Sequence, residues 1–140
     1  MSIKEIEDEI VSEFEIFGED WEGKYEHLID LGKSLPMIDE KNRTEENIIK
    51  GCQSRVWLNS VLKDGKVIYT ADSDAIITKG MVALMIRVLS KQAPTEIAKA
   101  ELGFINKIGL KEHLSPTRAN GLVSMINRMK LDAIKLSQKN

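Results

Sequence analysis

The residue most able to do chemistry is Cys52, the single cysteine among 140 residues. One thiol excludes an intramolecular disulfide. It also excludes zinc sites and iron–sulfur scaffolds that draw several thiolates from one chain. What remains is an inert buried thiol, a reactive thiol, or a thiol shared between chains. Cys52 lies in Lys50-Gly51-Cys52-Gln53-Ser54-Arg55-Val56-Trp57-Leu58. Gly51 opens backbone angles closed to other residues, and Gln53 and Ser54 suit a turn that they hold by hydrogen bonds. With apolar segments on both sides, this pattern puts a thiol on a short loop against an apolar surface. Such a thiol can act as a sulfur carrier: a thiolate attacks the outer sulfur of a persulfide, as in thiol–disulfide exchange. A second cysteine would resolve the persulfide and release sulfide, so a lone thiol favours storage. The same spacing also suits a structural cysteine.

The flanking elements must position that loop. Ile3, Ile6, Ile10, Phe14 and Phe17 recur at helical spacing between acidic residues, which predicts a helix over 2–17 with a solvated acidic face. A second helix is expected from Trp21 to about Lys33, stopped before Pro36. Residues 37–46 read as loop, and 47–50 as a short extended piece. Val56, Trp57, Leu58 and Val61 favour a strand, Asp64-Gly65 a hairpin turn, and 66–71 the returning strand. Asp72-Ser73-Asp74 reads as an N-cap for an apolar helix over 75–90, the centre of the core. If Asp74 also faces Cys52, its charge opposes the thiolate. Shorter helices are expected at 94–98 and 102–108. A last helix starts at Ser115-Pro116, with a cap and then proline at the first position. Arg118 in that first turn works against the helix dipole, so a specific role and an ion pair with a carboxylate are both open. This order, helices around a small antiparallel sheet, is an α+β fold in one domain over 1–140.

Composition narrows the function. Hydrophobic residues are 42% and charged residues 30%, as in globular domains. The formal net charge of −2 argues against a nucleic-acid partner. No apolar run is long enough for a membrane span. The acidic start lacks the apolar stretch of a secretory signal, which makes the cytoplasm the expected location.

The segment Gly51 to Leu58 closely resembles the signature of the SufE family of sulfur acceptors, which includes CsdE. Five further segments fit in order: Tyr25 to Lys33, Asp64 to Val67, Asp72 to Ala75 followed by Lys79 to Leu84, Pro94 to Ile97, and His113 to Leu122. The resemblance implies a fold shared with scaffold proteins of the IscU type. It implies that Cys52 receives sulfur from a cysteine desulfurase of the SufS or CsdA kind, that binding stimulates that desulfurase, and that the sulfur passes to a SufBCD-type scaffold. Pyridoxal phosphate would belong to the desulfurase, with no cofactor or metal on this chain. Gly51, Gln53, Ser54, Asp74 and Arg118 become candidate loop or partner contacts. Arg55 stands where many SufE proteins have glutamine, so the choice between SufS and CsdA stays open, as does monomer against weak dimer. Three rivals remain. A cysteine hydrolase would need a base beside Cys52, and neither His27 nor His113 lies in a catalytic motif. An adaptor would activate the desulfurase without carrying sulfur. A cluster scaffold would need more thiolates.

Overall fold

A computed structural model describes residues 1–36 and 38–138. The chain opens with α1 (Ile3–Glu15), which begins one residue later than the periodicity predicts because Ser2 caps it: its Oγ accepts from the Glu5 amide while the Glu5 carboxylate accepts from the Ser2 amide. Asp20 caps α2 (Trp21–Lys33) by accepting from the Gly23 amide. The stretch read as loop contains two single 3-10 turns, Glu40–Asn42 and Glu45–Asn47; its first residue, Met37, lies outside the described residues. Strands β1 (Val56–Lys63) and β2 (Lys66–Ser73) pair antiparallel from Val56↔Ser73 to Lys63↔Lys66. The two residues left over, Asp64 and Gly65, both have positive φ, as a type I′ hairpin turn requires. Ile48 bridges to Trp57, so the expected extended piece is a one-residue extension of the sheet edge.

The remaining chain is helical: α3 (Ile76–Leu89), α4 (Pro94–Lys99), α5 (Phe104–Lys107), α6 (Leu110–His113) and α7 (Pro116–Gln138). The Ser115 Oγ accepts from the Arg118 amide at the start of α7, the cap expected there. Helix α3 lies between β2 and α2, and α7 packs on α4 and β1. Its apolar circumference makes α3 the centre of the core, where Met81, Leu84, Met85 and Val88 meet Phe14, Leu28, Leu58, Tyr69 and Met125. The α2–α3 crossing is close enough to demand glycine. A Cβ at Gly80 would fall 2.3 Å from the Leu28 carbonyl oxygen, and one at Gly32 would fall 2.9 Å from the Gly80 nitrogen. That contact fixes the axial position of α3, and so of its N-terminal turn.

Two expectations need correction. Asp72 and Ser73 do not precede the central helix but end β2, because the sheet runs two residues further than read. The cap position of α3 is Ala75, with no side-chain capping bond. Asp72, opposite Trp57, instead binds Arg43 and, at 3.2 Å, Lys79. Burial favours its neutral form, but the Ser73 amide and these two cations more than offset that, and its pKa is lowered. The acidic face of α1 is not merely solvated either. Glu13 binds Arg87 of α3 and, at 3.2 Å, His27, and Glu7 accepts from the Phe104 amide at 3.2 Å.

Candidate functional site

The loop around Cys52 is strung between two stems. Before it, the Ile49 amide donates to the Val56 carbonyl at 2.9 Å, and the Ile49 side chain is buried in the core. After it, the Arg55 amide donates to Asp74 Oδ1 at 3.1 Å, and the Arg55 carbonyl accepts from Ser73 Oγ at 2.9 Å. Between the stems the chain turns at Gly51, whose φ is +93° and whose Cα faces α7: a Cβ there would lie 2.4 Å from Ser124 Oγ. The turn therefore needs glycine for its conformation and again for its space.

Cys52 comes to rest half-buried on α7, against the apolar core. Its Sγ lies 3.6 Å from the Gly121 carbonyl oxygen, within range of a weak S–H donor. The thiol packs directly on Gly121: a Cβ at this position would sit 3.6 Å from Sγ, in ordinary contact. Beside the thiol is a cavity of about 100 Å³, lined by Gln53 and Ser54 of the loop, Ala75, Thr78 and Met81 at the start of α3, and Thr117, Arg118 and Met125 of α7. The first turns of two helices thus converge here, and helix N-termini favour negative charge. Burial acts the other way and pushes the Cys52 thiol above its ordinary value. The resting group is a sheltered, protonated thiol.

Of the residues singled out by sequence, Gly51, Gln53, Ser54 and Arg118 gather around Cys52. Arg118 is exposed, and among the described residues it has no ion pair. Asp74 does not line the cavity; its carboxylate clips the Arg55 amide. Burial, not the charge of Asp74, accounts for the raised thiol. The described hydrogen bonds holding the loop come from Ser73, Asp74 and α7, not from the side chains of Gln53 and Ser54. Sequence reasoning missed Gly121, Ser124 and Arg128 of α7. Arg128 reaches the segment before the loop, donating to the carbonyls of Glu46 at 2.8 Å and Ile48 at 3.3 Å. The only signal for Gly121 and Ser124 was the spacing of small residues on one face of a helix, and Arg128 carried none, since a polar face reads as solvated. Among the described residues, no group of three or more His, Cys, Asp or Glu is placed to hold a metal.

Residues 8–133 match the family described as SufE, Fe-S metabolism associated domain. The chain belongs to the SufE family. It is 42% identical over 131 residues to an uncharacterized SufE-like protein of Rhizobium meliloti, covering 90% of this chain and 93% of that one. An uncharacterized SufE-like protein of Synechocystis is 41% identical over 79% of this chain and 70% of its own length. The chloroplastic/mitochondrial SufE-like protein 1 of Arabidopsis thaliana is 39% identical over 83% of this chain, which spans 32% of that longer protein. A hypothetical protein from Thermus thermophilus, solved in solution, shares the fold with a TM-score of 0.77 at 18% identity, covering 95% of this chain and 96% of that one. The α+β architecture and the resemblance to the SufE family are thereby both borne out. Among the described residues, no helix is long and apolar enough to cross a membrane.

Proposed function

We propose that this SufE-family chain takes sulfur from the persulfide of a cysteine desulfurase onto Cys52, stimulates that enzyme by doing so, and delivers the sulfur to iron–sulfur cluster assembly. The observation that carries the reading is the cavity beside a half-buried thiol. Its volume of about 100 Å³ exceeds the ~30 Å³ that a water occupies in the liquid, so one more sulfur atom fits beside Sγ. In the transfer step the Cys52 thiolate attacks the outer sulfur of the donor persulfide. A new S–S bond forms to Cys52, the donor S–S bond breaks, and its electron pair leaves on the donor cysteine as thiolate. No external oxidant or reductant is needed, because the outer sulfur changes carrier and not oxidation state. The proton of the resting thiol is lost to solvent or to a base of the donor site before attack.

Stimulation follows from the same step, since unloading the donor cysteine frees it for the next turnover. The positive ends of α3 and α7, with Arg118, favour the anionic persulfide once it has formed. In this reading pyridoxal phosphate is the desulfurase's cofactor, the desulfurase is of the SufS or CsdA kind, the acceptor is a scaffold of the SufBCD type, and the exchange takes place in the cytoplasm.

Intact mass spectrometry after incubation with such a desulfurase, pyridoxal phosphate and cysteine tests it. The wild type gains one sulfur atom, dithiothreitol removes it, and Cys52→Ser gains none. A wild type that stays unloaded with both kinds of desulfurase, and a Cys52→Ser protein that stimulates as well as the wild type, together replace the carrier with an adaptor that works through its surface.

A further inference from the structure

Four positions on α7, Gly121, Ser124, Arg128 and Asp132, follow one another at spacings of three or four residues and so share one face. The first three meet successive parts of the chain that ends in Cys52, and Asp132 ties the third to β1. Gly121 supports Sγ, and Ser124 abuts Gly51. Arg128 donates through one Nη to the Glu46 carbonyl and through the other to the Ile48 carbonyl. Asp132 accepts from Arg128 Nε at 3.1 Å and, through its other oxygen, from Ser60 Oγ of β1 at 2.8 Å. The guanidinium is thus aimed from one side by a carboxylate anchored to the sheet, and its fork reaches two backbone carbonyls within six residues of Cys52. An arginine that only solubilised the helix would not be held at all its nitrogens.

We infer that Arg128 is a positioning residue for Cys52: by fixing the carbonyls of Glu46 and Ile48 on α7, it sets where the loop leaves the helix and keeps the thiol seated at Gly121. Arg128 does not touch Sγ and acts only through the stem. The distal stem has its own clip in Ser73 and Asp74, and Ile49 stays bonded to Val56, so losing Arg128 loosens the near stem from α7 while the sheet still holds both ends. A groove of about 800 Å³ borders Arg128, Glu46 and Ile48, so water can reach the carbonyls that Arg128 would abandon. Its removal therefore loosens the loop more than it harms the core. The inference rests on the carrier reading for its purpose, but not for its geometry.

The test is the rate of Cys52 alkylation by iodoacetamide against pH, on the whole chain without partner, for the wild type, Arg128→Met and Arg128→Lys. Only the thiolate reacts, and the seated thiol has its pKa raised by burial. Unseating it brings the midpoint of the rate–pH curve down toward that of a free thiol and raises the neutral-pH rate several-fold. Arg128→Lys keeps a cation but not the fork, so it shifts in the same direction by less. A role confined to overall stability would lower the melting temperature and leave the midpoint where it was. Unchanged midpoints in both variants overturn the inference, as does a shift in Arg128→Met that Asp132→Asn, which loosens the aim of the guanidinium, fails to reproduce in part. Persulfide loading of the same proteins separates the two claims. A wild type that never gains sulfur sinks the carrier reading and leaves the alkylation result standing, whereas a wild type that loads beside variants with wild-type midpoints sinks only the role of Arg128.

Discussion

Two of the turns made on glycines of positive φ, at Gly65 and at Gly51, differ in what holds them. Asp64-Gly65 joins β1 to β2, with Gly65 at φ +77° and nothing within 4 Å of where its Cβ would be. Its geometry is set by its own two residues and by the strands they join. Gly51 has φ +93° and is pressed against Ser124, 73 positions along the sequence, while its stems are held by Ser73, Asp74 and Arg128. One turn is local and would form wherever such a hairpin formed. The other exists only because α7 lies beneath it. A loop that must keep a reactive atom in a defined place is built from distant contacts, and those contacts can be released without unfolding the sheet.

Glycine substitution should separate the two. Gly51→Ala forces a left-handed alanine and drives its Cβ into Ser124. Rotating the Ser124 hydroxyl aside would cost its bond to the Asn120 carbonyl and still leave the Ser124 Cβ at 3.2 Å. The expected loss is about 2 kcal/mol of stability, with Cys52 lifted from Gly121 and alkylated several-fold faster. In a Ser124→Ala background the clash eases and the strain persists, so recovery is partial. Full recovery of stability by chemical denaturation would mean that Gly51 is there for space alone. Gly65→Ala suffers the backbone strain without a clash, about 1 kcal/mol, and its Cys52 reacts at the wild-type rate. A Gly65 variant that alkylated faster would erase the distinction between local and distant turns.

The same distinction decides what could be read from the sequence. The hairpin, the second helix, the Ser115-Pro116 start and the glycine before Cys52 were legible because each is encoded by neighbours in the chain. The cap expected from Asp72, Ser73 and Asp74 was misplaced, because those short polar residues fit a helix start locally while β1 offers Val56 and Trp57 as pairing partners for Ser73 and Asp72. Once in the strand, Asp72 is claimed by Arg43 and Lys79, which no local pattern announces. Arg128 was invisible for the same reason: its partners are backbone carbonyls about 80 positions away, and a carbonyl leaves no mark on residue type. The thiol and its own loop were found, and the α7 contacts that seat them were not.

Asp74 gives the smallest and sharpest test of that setting. By charge alone, removing it should release the thiol, since a nearby carboxylate opposes a thiolate. Its position in the structure gives it a different role. Oδ1 accepts from the Arg55 amide, and burial alone raises the Cys52 thiol. Asp74→Asn keeps an amide oxygen able to accept that bond and removes only the charge. Its alkylation rate and midpoint should match the wild type. Asp74→Ala removes the acceptor from an exposed site, where water can replace it, at a cost of about 0.5 kcal/mol, with a modest rise in alkylation as the distal stem loosens. A faster Asp74→Asn would restore the electrostatic account. An unchanged Asn with a faster Ala shows that Asp74 acts as a clip and that Cys52 is kept quiet by where the loop is held.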